Sequence, residues 1–153
     1  MSWAAERITT GQRCWSKTKI INFLDADLNK LAEMSKSDQG EVVVMLNLLK
    51  YRDVAELGYG VDGLSGEQAY RVYGEKFAGL HARFGGEPIW MGKTHNTIIG
   101  SEEWDIAIMV RYPTRKQFVE MFEDSDYLHI APIRAAALQD SRLVEMSQLL
   151  PKT

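Results

Sequence analysis

The strongest constraint on the fold of this chain is the order of its periodic segments between residues 41 and 149. Apolar runs and helix signals follow one another as strand, helix, strand, strand, helix and strand, with turn or cap residues at most junctions. A chain in this order packs two helices on one face of an antiparallel sheet. The other face then needs cover from elsewhere, and it is there that we first look for function.

Composition narrows the class of protein. The 153 residues are 45% apolar, which suits one globular domain with a single core. The net charge of -3 arises from 18 basic and 21 acidic residues without a basic stripe, which argues against a nucleic-acid or membrane partner. Cys14 is the one cysteine, and no apolar stretch approaches the roughly 18 residues of a membrane span. We therefore expect a soluble, cytoplasmic protein.

Two regions are expected along the chain. Residues 1–40 form an N-terminal extension, in which Asp25 or Asp27 caps a short helix. Residues 1–24 lack periodicity, but large apolar side chains such as Trp3 and Trp15 suggest that they dock on another surface. Residues 41–149 form the main domain.

Capping signals predict the ends of the main helices. Ser65-Gly-Glu-Gln68 has the spacing of a capping box, and the helix that it opens ends at Gly85-Gly86. Thr114-Arg-Lys-Gln117 repeats the box before a second helical region. That region is expected to break near Ser125 and to be interrupted, or to restart, around Pro132.

Four strands are read from apolar runs and alternation. The first, from Glu41 to Tyr51, is apolar on both faces, which is typical of a strand covered on both sides. The second is expected from Glu87 to Thr94, the third from Trp104 to Tyr112 and the fourth from Ser141 to Leu149.

The third strand alternates cleanly, and its apolar set should meet the helices. That set is Trp104, Ile106, Ile108, Val110 and Tyr112. The opposite face of the sheet would then gather Met45, Asn47, Met91, Met109 and Met146, if no bulge shifts the phase. Methionine adapts to irregular surroundings, so this face is expected to be a dimer core, a pocket wall or both.

A glycine motif follows the first strand. Gly58-Tyr-Gly60-Val-Asp-Gly63 has the G-x-G-x-x-G order of dinucleotide-binding loops. Such a loop should open the helix directly, whereas about seven residues separate this one from the strand and Asp62 would repel a pyrophosphate. We interpret the glycines as a flexible lid over a pocket and expect no nicotinamide cofactor.

Seven short motifs follow one another along the chain: Asn47-Leu-Leu-Lys-Tyr51, Gly66-Glu-Gln-Ala-Tyr70-Arg-Val-Tyr73, Gly85-Gly86, Trp90-Met-Gly92, Ile99-Gly-Ser-Glu-Glu-Trp104-Asp105, Arg111-Tyr112-Pro113 and Arg134-Ala-Ala-Ala-Leu-Gln-Asp-Ser-Arg-Leu143. Together they resemble one family of small proteins, the domain of unknown function 1330. The resemblance covers about residues 41 to 146. It implies membership of the dimeric α/β-barrel superfamily, in which a ferredoxin-like α+β protomer with a four-stranded antiparallel sheet pairs sheet to sheet with a second copy.

The resemblance also implies a range of activities. Relatives in that superfamily include cofactor-independent monooxygenases, haem-degrading enzymes, isomerases, lyases and ligand-sensing domains. In the related monooxygenases and haem degraders an asparagine on the first strand orients substrate or oxygen, and Asn47 is the position that resembles it. Haem degraders carry an axial histidine on the second helix, where this chain has Pro132, with His129 about one turn earlier. We expect neither haem nor another cofactor.

The residues themselves nominate a site. An amide inside an apolar strand needs a partner, so Asn47 either bonds backbone or water, or contacts a ligand. Arg134 lies on an apolar helical stripe with Tyr127, and either grips an anion or pairs with Asp105, Glu103 or a carboxylate of a second copy.

Further candidates surround these two. Tyr73 or Tyr70 is a candidate proton donor, and Trp90 and Trp104 are either core residues or pocket walls. His81 and His129 are either locally bonded or bases, and no histidine pair has the i, i+4 spacing of a metal site. The predicted catalytic residues are Asn47, Arg134 and Tyr73, and the predicted substrate-binding residues are Tyr70, Trp90, Trp104, Met45, Met109 and His81.

The function expected from this set is that of a small-molecule enzyme that works without cofactor or metal. A monooxygenase, isomerase or lyase acting on a small hydrophobic or aromatic carbonyl or carboxylate compound fits it best. The alternative is a homodimer that binds or senses a ligand without converting it.

Overall fold

The structure is a computed structural model that describes residues 24–151. The predictions for Cys14, Trp3, Trp15 and the rest of residues 1–23 lie outside that range. The described elements are α1 (Leu28–Lys36), β1 (Val43–Tyr51), α2 (Gly66–Arg83), β2 (Glu87–Lys93), β3 (Ile106–Tyr112), α3 (Arg115–Glu123), α4 (Ser125–Ala137) and β4 (Leu138–Met146). Within residues 24–151, no helix has both the length and the apolar character needed to cross a membrane.

The four strands form one antiparallel sheet in the order β2-β3-β1-β4. The helices α2 and the α3–α4 pair are the two connections that cross over this sheet. This is the ferredoxin-like α+β arrangement, so the predicted fold class and element order are confirmed.

The helix ends follow the predicted capping chemistry. Ser65 accepts from the backbone N–H of Gln68 at 3.1 Å, and the Gln68 side chain accepts from the Ser65 N–H at 2.9 Å, which completes the capping box. Gly85 has a φ of 75°, in the left-handed region, and ends α2 as expected. Thr114 accepts from the Gln117 N–H at 3.1 Å, so this half of the second box is also formed.

The end of the second helical region differs from the prediction. Asp124 separates α3 from α4 and caps α4, as the expected break near Ser125 requires. However, α4 runs through Pro132 without restarting, and β4 begins at Leu138, three residues earlier than expected. No loop intervenes, because the backbone turns directly from Ala137 into the strand.

The strand register decides which side chains face the helices. Met45 pairs with Val110, and Asn47 pairs with Ile108, on the two central strands. Directly paired residues project on the same face of an antiparallel sheet. Val110 and Ile108 pack in the core beneath the helices. Met45 and Asn47 therefore face the helices, and their expected position on the opposite face was wrong.

Two physical causes explain the error. The run from Val43 to Leu49 is apolar at nearly every position, so alternation could not reveal its phase. In β2 the register shifts between Pro88 and Trp90, and the shift brings Met91 opposite Ile108, also on the helix-facing side. Of the five predicted residues, Met109 and Met146 do lie on the outer face, beside Leu46 and Val44.

One main core joins the sheet to all of the helices. Its buried residues include Val43, Leu49 and Tyr112 from the sheet and Phe118 and Met121 from α3. Met34 of α1 is buried in the same cluster. Asp38, just after α1, accepts from the backbone N–H of Arg115 at 3.2 Å. The short N-terminal helix is thus packed as part of the same globular unit.

A second, smaller core fastens the loop between β1 and α2. Arg52 and Glu56 donate backbone hydrogen bonds to Ala137 and Ala136, each at 3.0 Å. Ala55 and Val61 are buried against those two alanines. Gly66 lies where these segments meet, and a Cβ there would be 2.3 Å from the Arg52 oxygen and 2.5 Å from the Ala137 oxygen.

A pair of glycine substitutions in α2 tests this packing. We expect Gly66→Ala to lower the free energy of unfolding by about 1 to 3 kcal/mol, the usual cost of overpacking, because backbone atoms must move. Gly79→Ala should raise it by about 0.5 to 1 kcal/mol, since a Cβ there meets nothing within 4 Å and alanine favours a helix. Urea denaturation measures both. Equal effects of the two substitutions would contradict the close approach at Gly66.

Candidate functional site

A large cavity lies between the sheet and the helices. Its volume is about 1610 Å³, and its walls come from all four strands and all four helices described. Ligand sites usually measure about 300 to 1,000 Å³, so a small molecule would fill part of this space. Apolar side chains such as Met45, Ile108 and Phe77 form much of the wall.

Six of the nine predicted site residues line this cavity. They are Asn47, Arg134, Tyr73, Tyr70, Met45 and His81. The strands contribute Asn47 and Met45, α2 contributes the two tyrosines and the histidine, and α4 contributes the arginine. Residues separated by up to 89 positions in the sequence therefore meet in one cleft.

The other three predicted residues lie elsewhere, which corrects their expected role as pocket walls. Met109 and Trp90 pair with each other on the outer face of the sheet, and Trp90 is 51% exposed. Trp104 precedes β3, and the Arg142 guanidinium carbon lies 5.0 Å from the centre of the Trp104 ring. The bulge in β2 turns Trp90 to the outer face, and the late start of β3 leaves Trp104 before the strand; Met109 lies on the outer face as expected, but that face does not line the cavity.

The Arg134 guanidinium lines the cavity, and only some of its N–H donors have acceptors among residues 24–151. Its Nη1 donates to the backbone oxygen of Leu24 at 3.2 Å. Within residues 24–151 no carboxylate lies within ion-pair distance of it, and the two expected partners are engaged elsewhere. Glu103 pairs with Lys50, and Asp105 accepts from the Tyr51 N–H. A guanidinium has five N–H donors, so several remain for an anion.

Three tyrosines surround this guanidinium. Burial is the main cause that raises the pKa of Tyr70, Tyr73 and Tyr127, and the positive charge of Arg134 partly opposes the rise at each. All three phenols are therefore neutral near pH 7. Neutral phenols donate hydrogen bonds without adding negative charge, which suits a site for an anion.

Asn47 lies near the middle of β1 and is half-buried. Across the described part of the chain, no residue hydrogen-bonds its carboxamide. The backbone partner considered for it is therefore not seen, and the amide is available for water or a ligand. Its neighbours on the same face are Ile108 and Leu143 on the adjoining strands.

His81 lies near the opposite end of α2 from Tyr70. It is 9% exposed, its Nδ1 is 3.3 Å from the Phe77 backbone oxygen, and its ring stacks on Phe77 with centroids 4.8 Å apart. A carbonyl oxygen can only accept, so Nδ1 carries the proton in this contact.

Two site residues were missed in the sequence. Tyr127 lies seven residues before Arg134 on the same helical stripe, and that spacing was a usable signal. Leu24, whose backbone oxygen contacts Arg134, belongs to a segment without periodicity and gave no signal.

The glycine-rich loop is not a lid over this cavity. Residues 52–65 contribute no side chain to the cavity wall. Instead the loop closes on itself, with Asp62 accepting from the Gly58 N–H at 2.8 Å, and packs on the junction of α4 with β4. The expected lid is therefore wrong, and the positive φ angles at Gly58, Gly60 and Gly63 serve the turns of this loop.

We next asked whether the described residues include ligands for a metal ion or for haem. Among residues 24–151, no three His, Cys, Asp or Glu side chains are grouped as a metal site would need. His129 is exposed on α4 and lies outside the cavity wall. Asp25, Asp27 and three glutamates also line the cavity, whereas the groups beside Arg134 include phenol donors and aromatic rings, which suit an organic anion.

Comparison with known proteins gives one family and one close structural relative. The model of the family described as Domain of unknown function (DUF1330) matches residues 63–147. A protein of unknown function from Rhodopseudomonas palustris is 32% identical, with a TM-score of 0.77, over 84% of this chain and 98% of that one. The methylated form of that protein gives the same identity and TM-score over 85% and 97%.

A more distant solved structure is also similar. A dimeric protein of unknown function with a ferredoxin-like fold, from Bacteroides fragilis, is 18% identical with a TM-score of 0.48, over 72% of this chain and 98% of that one. No curated protein matches this chain.

The buried tyrosines predict a loss of stability in alkali. Burial raises the pKa of Tyr51 to about 12 and raises the pKa values of Tyr70, Tyr73, Tyr112 and Tyr127. In the unfolded chain a tyrosine ionises near pH 10, so above about pH 10 the unfolded state binds fewer protons than the folded state. The stabilisation is fully present below about pH 10 and is lost as pH rises through the folded pKa values.

Urea denaturation between about pH 8 and 11.5 measures this loss. Each tyrosine contributes a slope of up to about 1.4 kcal/mol per pH unit. Tyr127→Phe should make the decline shallower by up to that amount. A free energy of unfolding that stays constant from pH 9 to 11.5 would contradict the burial of these phenols.

Proposed function

The chain belongs to the family described as domain of unknown function 1330, and from the site built on this fold we propose that it binds and converts a small apolar or aromatic molecule carrying a carboxylate or carbonyl group. The observation that carries the proposal is the Arg134 guanidinium, which faces an apolar cavity without a carboxylate partner among residues 24–151. An unpaired cation in such surroundings is costly unless an anion joins it.

Binding would exchange one acceptor for a better one. The Leu24 carbonyl that contacts Arg134 is neutral, whereas a ligand carboxylate is charged and can accept two parallel hydrogen bonds from a guanidinium. Tyr70, Tyr73 and Tyr127 add neutral O–H donors nearby, and Phe77 with Met45 would pack on the apolar body.

The same groups support chemistry at a carbonyl. Cofactor-independent oxygenation, isomerisation and elimination have in common that negative charge builds on a carbonyl oxygen. Arg134 would stabilise that charge, the Asn47 carboxamide would orient the oxygen, and Tyr73 would supply a proton to it. The proposal needs no metal and no organic cofactor.

We also propose that the protein is a homodimer that pairs through the outer face of the sheet. Leu46, Leu48, Met109 and Val144 project on that face, and Val144 is 44% exposed in the single protomer. Arg111 and Arg142 also project on this face, beside Val44 and Leu48, and an exposed apolar patch bordered by polar residues marks an interaction site. The helices cover the other face, so the dimer contact and the cavity lie on opposite sides of the sheet.

The Arg134 proposal predicts a charge-selective loss of binding. Arg134→Met keeps much of the side-chain volume but removes the cation, so benzoate affinity should fall about 10- to 100-fold, as for the loss of a charge-assisted hydrogen bond. Benzamide, which has nearly the same shape but no charge, should bind about equally to both proteins. Calorimetric titration measures all four affinities.

The matched control is Arg83→Met. Arg83 is an arginine that pairs with Asp124 and Asp126 and does not line the cavity, so its loss should leave benzoate binding unchanged. Equal weakening by both substitutions, or none by either, would contradict the proposed site. If the parent protein converts a compound that Asn47→Ala binds but does not convert, the protein is an enzyme; if the parent protein binds ligands and converts no candidate compound, it is the ligand-binding homodimer considered as the alternative.

The dimer is tested by placing a charge on the outer sheet face. Met109→Lys would bury an ammonium in the proposed interface, so we expect it to dissociate the dimer, whereas Leu57→Lys should not. Leu57 is 74% exposed in the loop between β1 and α2. Sedimentation velocity at micromolar concentrations measures the outcome. A monomeric parent protein, or a Met109→Lys variant that sediments as a dimer, would contradict this interface.

A further inference from the structure

The two ends of the cavity carry different polar groups, and the inference drawn from them rests on the proposed function. We propose that it selects an elongated aromatic anion, whose charged end lies at Arg134 and whose far end carries a hydroxyl that donates to Nε2 of His81. His81 would then be the residue that determines ligand length and the polarity of the far end.

The first observation is a continuous row of rings along α2. Tyr70, Tyr73, Phe77 and His81 all line the cavity, and neighbouring centroids in this row are 5.4, 5.3 and 4.8 Å apart. Tyr73 and Phe77 stack with an interplanar angle of 15°, and Phe77 and His81 with one of 29°. Aromatic walls of this kind favour flat, aromatic ligands over flexible chains.

The second observation is the position of the cation. Helix α4, which carries Arg134, packs against α2, and the Arg134 guanidinium is hydrogen-bonded to the side chain of Tyr70. Tyr70 forms the N-terminal end of the row of rings. A carboxylate held by Arg134 would therefore place the rest of the ligand along the row.

The third observation is the chemistry at the other end. The Phe77 carbonyl accepts a hydrogen bond from Nδ1–H of His81, and in the tautomer that this contact requires Nε2 is the acceptor. Within the described range 24–151, no residue donates to that nitrogen. The group that complements it is a donor, and a hydroxyl is the simplest donor that an uncharged aromatic ring carries.

The length of the row sets the length of the ligand. From Tyr70 to His81 is 11 residues, or about 16 Å of helix. A hydrogen bond at each end takes about 3 Å, which leaves about 10 Å between the polar atoms of the ligand. Two linked aromatic rings with a carboxylate and a hydroxyl at opposite ends span such a distance. Between the ends, Met45 and Ile108 on the facing strands provide an apolar floor.

Four carboxylates test the proposal on the unmodified protein. They are benzoate, biphenyl-4-carboxylate, 4'-hydroxybiphenyl-4-carboxylate and 4'-methoxybiphenyl-4-carboxylate. We expect the unsubstituted biphenyl to bind at least about tenfold more tightly than benzoate, and the hydroxyl to add a further factor of about five to ten. The methoxy compound cannot donate, so it should not bind more tightly than the unsubstituted biphenyl.

Two substitutions assign these gains to residues. His81→Phe keeps a ring but removes the acceptor, so it should abolish the advantage of the hydroxyl compound over the methoxy and unsubstituted biphenyls. Phe77→Leu interrupts the row, so it should reduce the advantage of biphenyl over benzoate. Circular dichroism and thermal unfolding verify that each variant is folded. The comparison of the hydroxyl compound with the methoxy compound uses the parent protein, so it tests the proposal even if a variant does not fold.

The possible outcomes separate this inference from the proposed function. If benzoate does not bind, or binds independently of Arg134, the proposed function fails. If benzoate binds through Arg134 but none of the three biphenyl compounds binds more tightly than benzoate, the proposed length is wrong. If the hydroxyl and methoxy compounds bind equally, or the hydroxyl advantage persists in His81→Phe, the role of His81 is wrong.

Discussion

The pairing of β1 with β3 is the constraint on which the rest of the site depends. Because Asn47 lies opposite Ile108 and Met45 opposite Val110, the polar and adaptable side chains of the central strand face the helices. A shift of one residue would reverse every side chain of β1 and place Asn47 on the outer face. The register thus decides that the cavity has a polar group in its floor and that the opposite face is apolar.

The cavity combines features that are costly unless they serve a ligand. Arg134 presents a cation to apolar and aromatic walls, with the Leu24 carbonyl and the Tyr70 phenol as neutral partners, and Asn47 has an amide without a partner among residues 24–151. Burial keeps the neighbouring phenols neutral, so they add donors and not charge. An aromatic carboxylate would satisfy the cation and the donors at once, while its rings would occupy the apolar space.

How much could be predicted from the sequence depended on whether a local signal existed. The caps at Ser65 and Gly85 are local hydrogen-bond chemistry, and with the alternation of β3 they were enough to predict the ferredoxin-like order. Arg134, Tyr70 and Tyr73 were found because helical spacing places them on stripes. In contrast, β1 is apolar on both faces, so its phase depended on tertiary pairing, and the bulge that moves Met91 leaves no mark in the sequence. The contact of Leu24 with Arg134 joins residues 110 positions apart, which no local pattern could reveal.

The most direct test is a crystal structure with 4-bromobenzoate, in which anomalous scattering from bromine fixes the position and orientation of the ligand. The account predicts that the carboxylate lies within about 3 Å of the Arg134 guanidinium, with the Leu24 carbonyl displaced and the bromine directed along the rings of α2. A ligand bound on the outer face of the sheet, or in the cavity with its carboxylate turned away from Arg134, would contradict it.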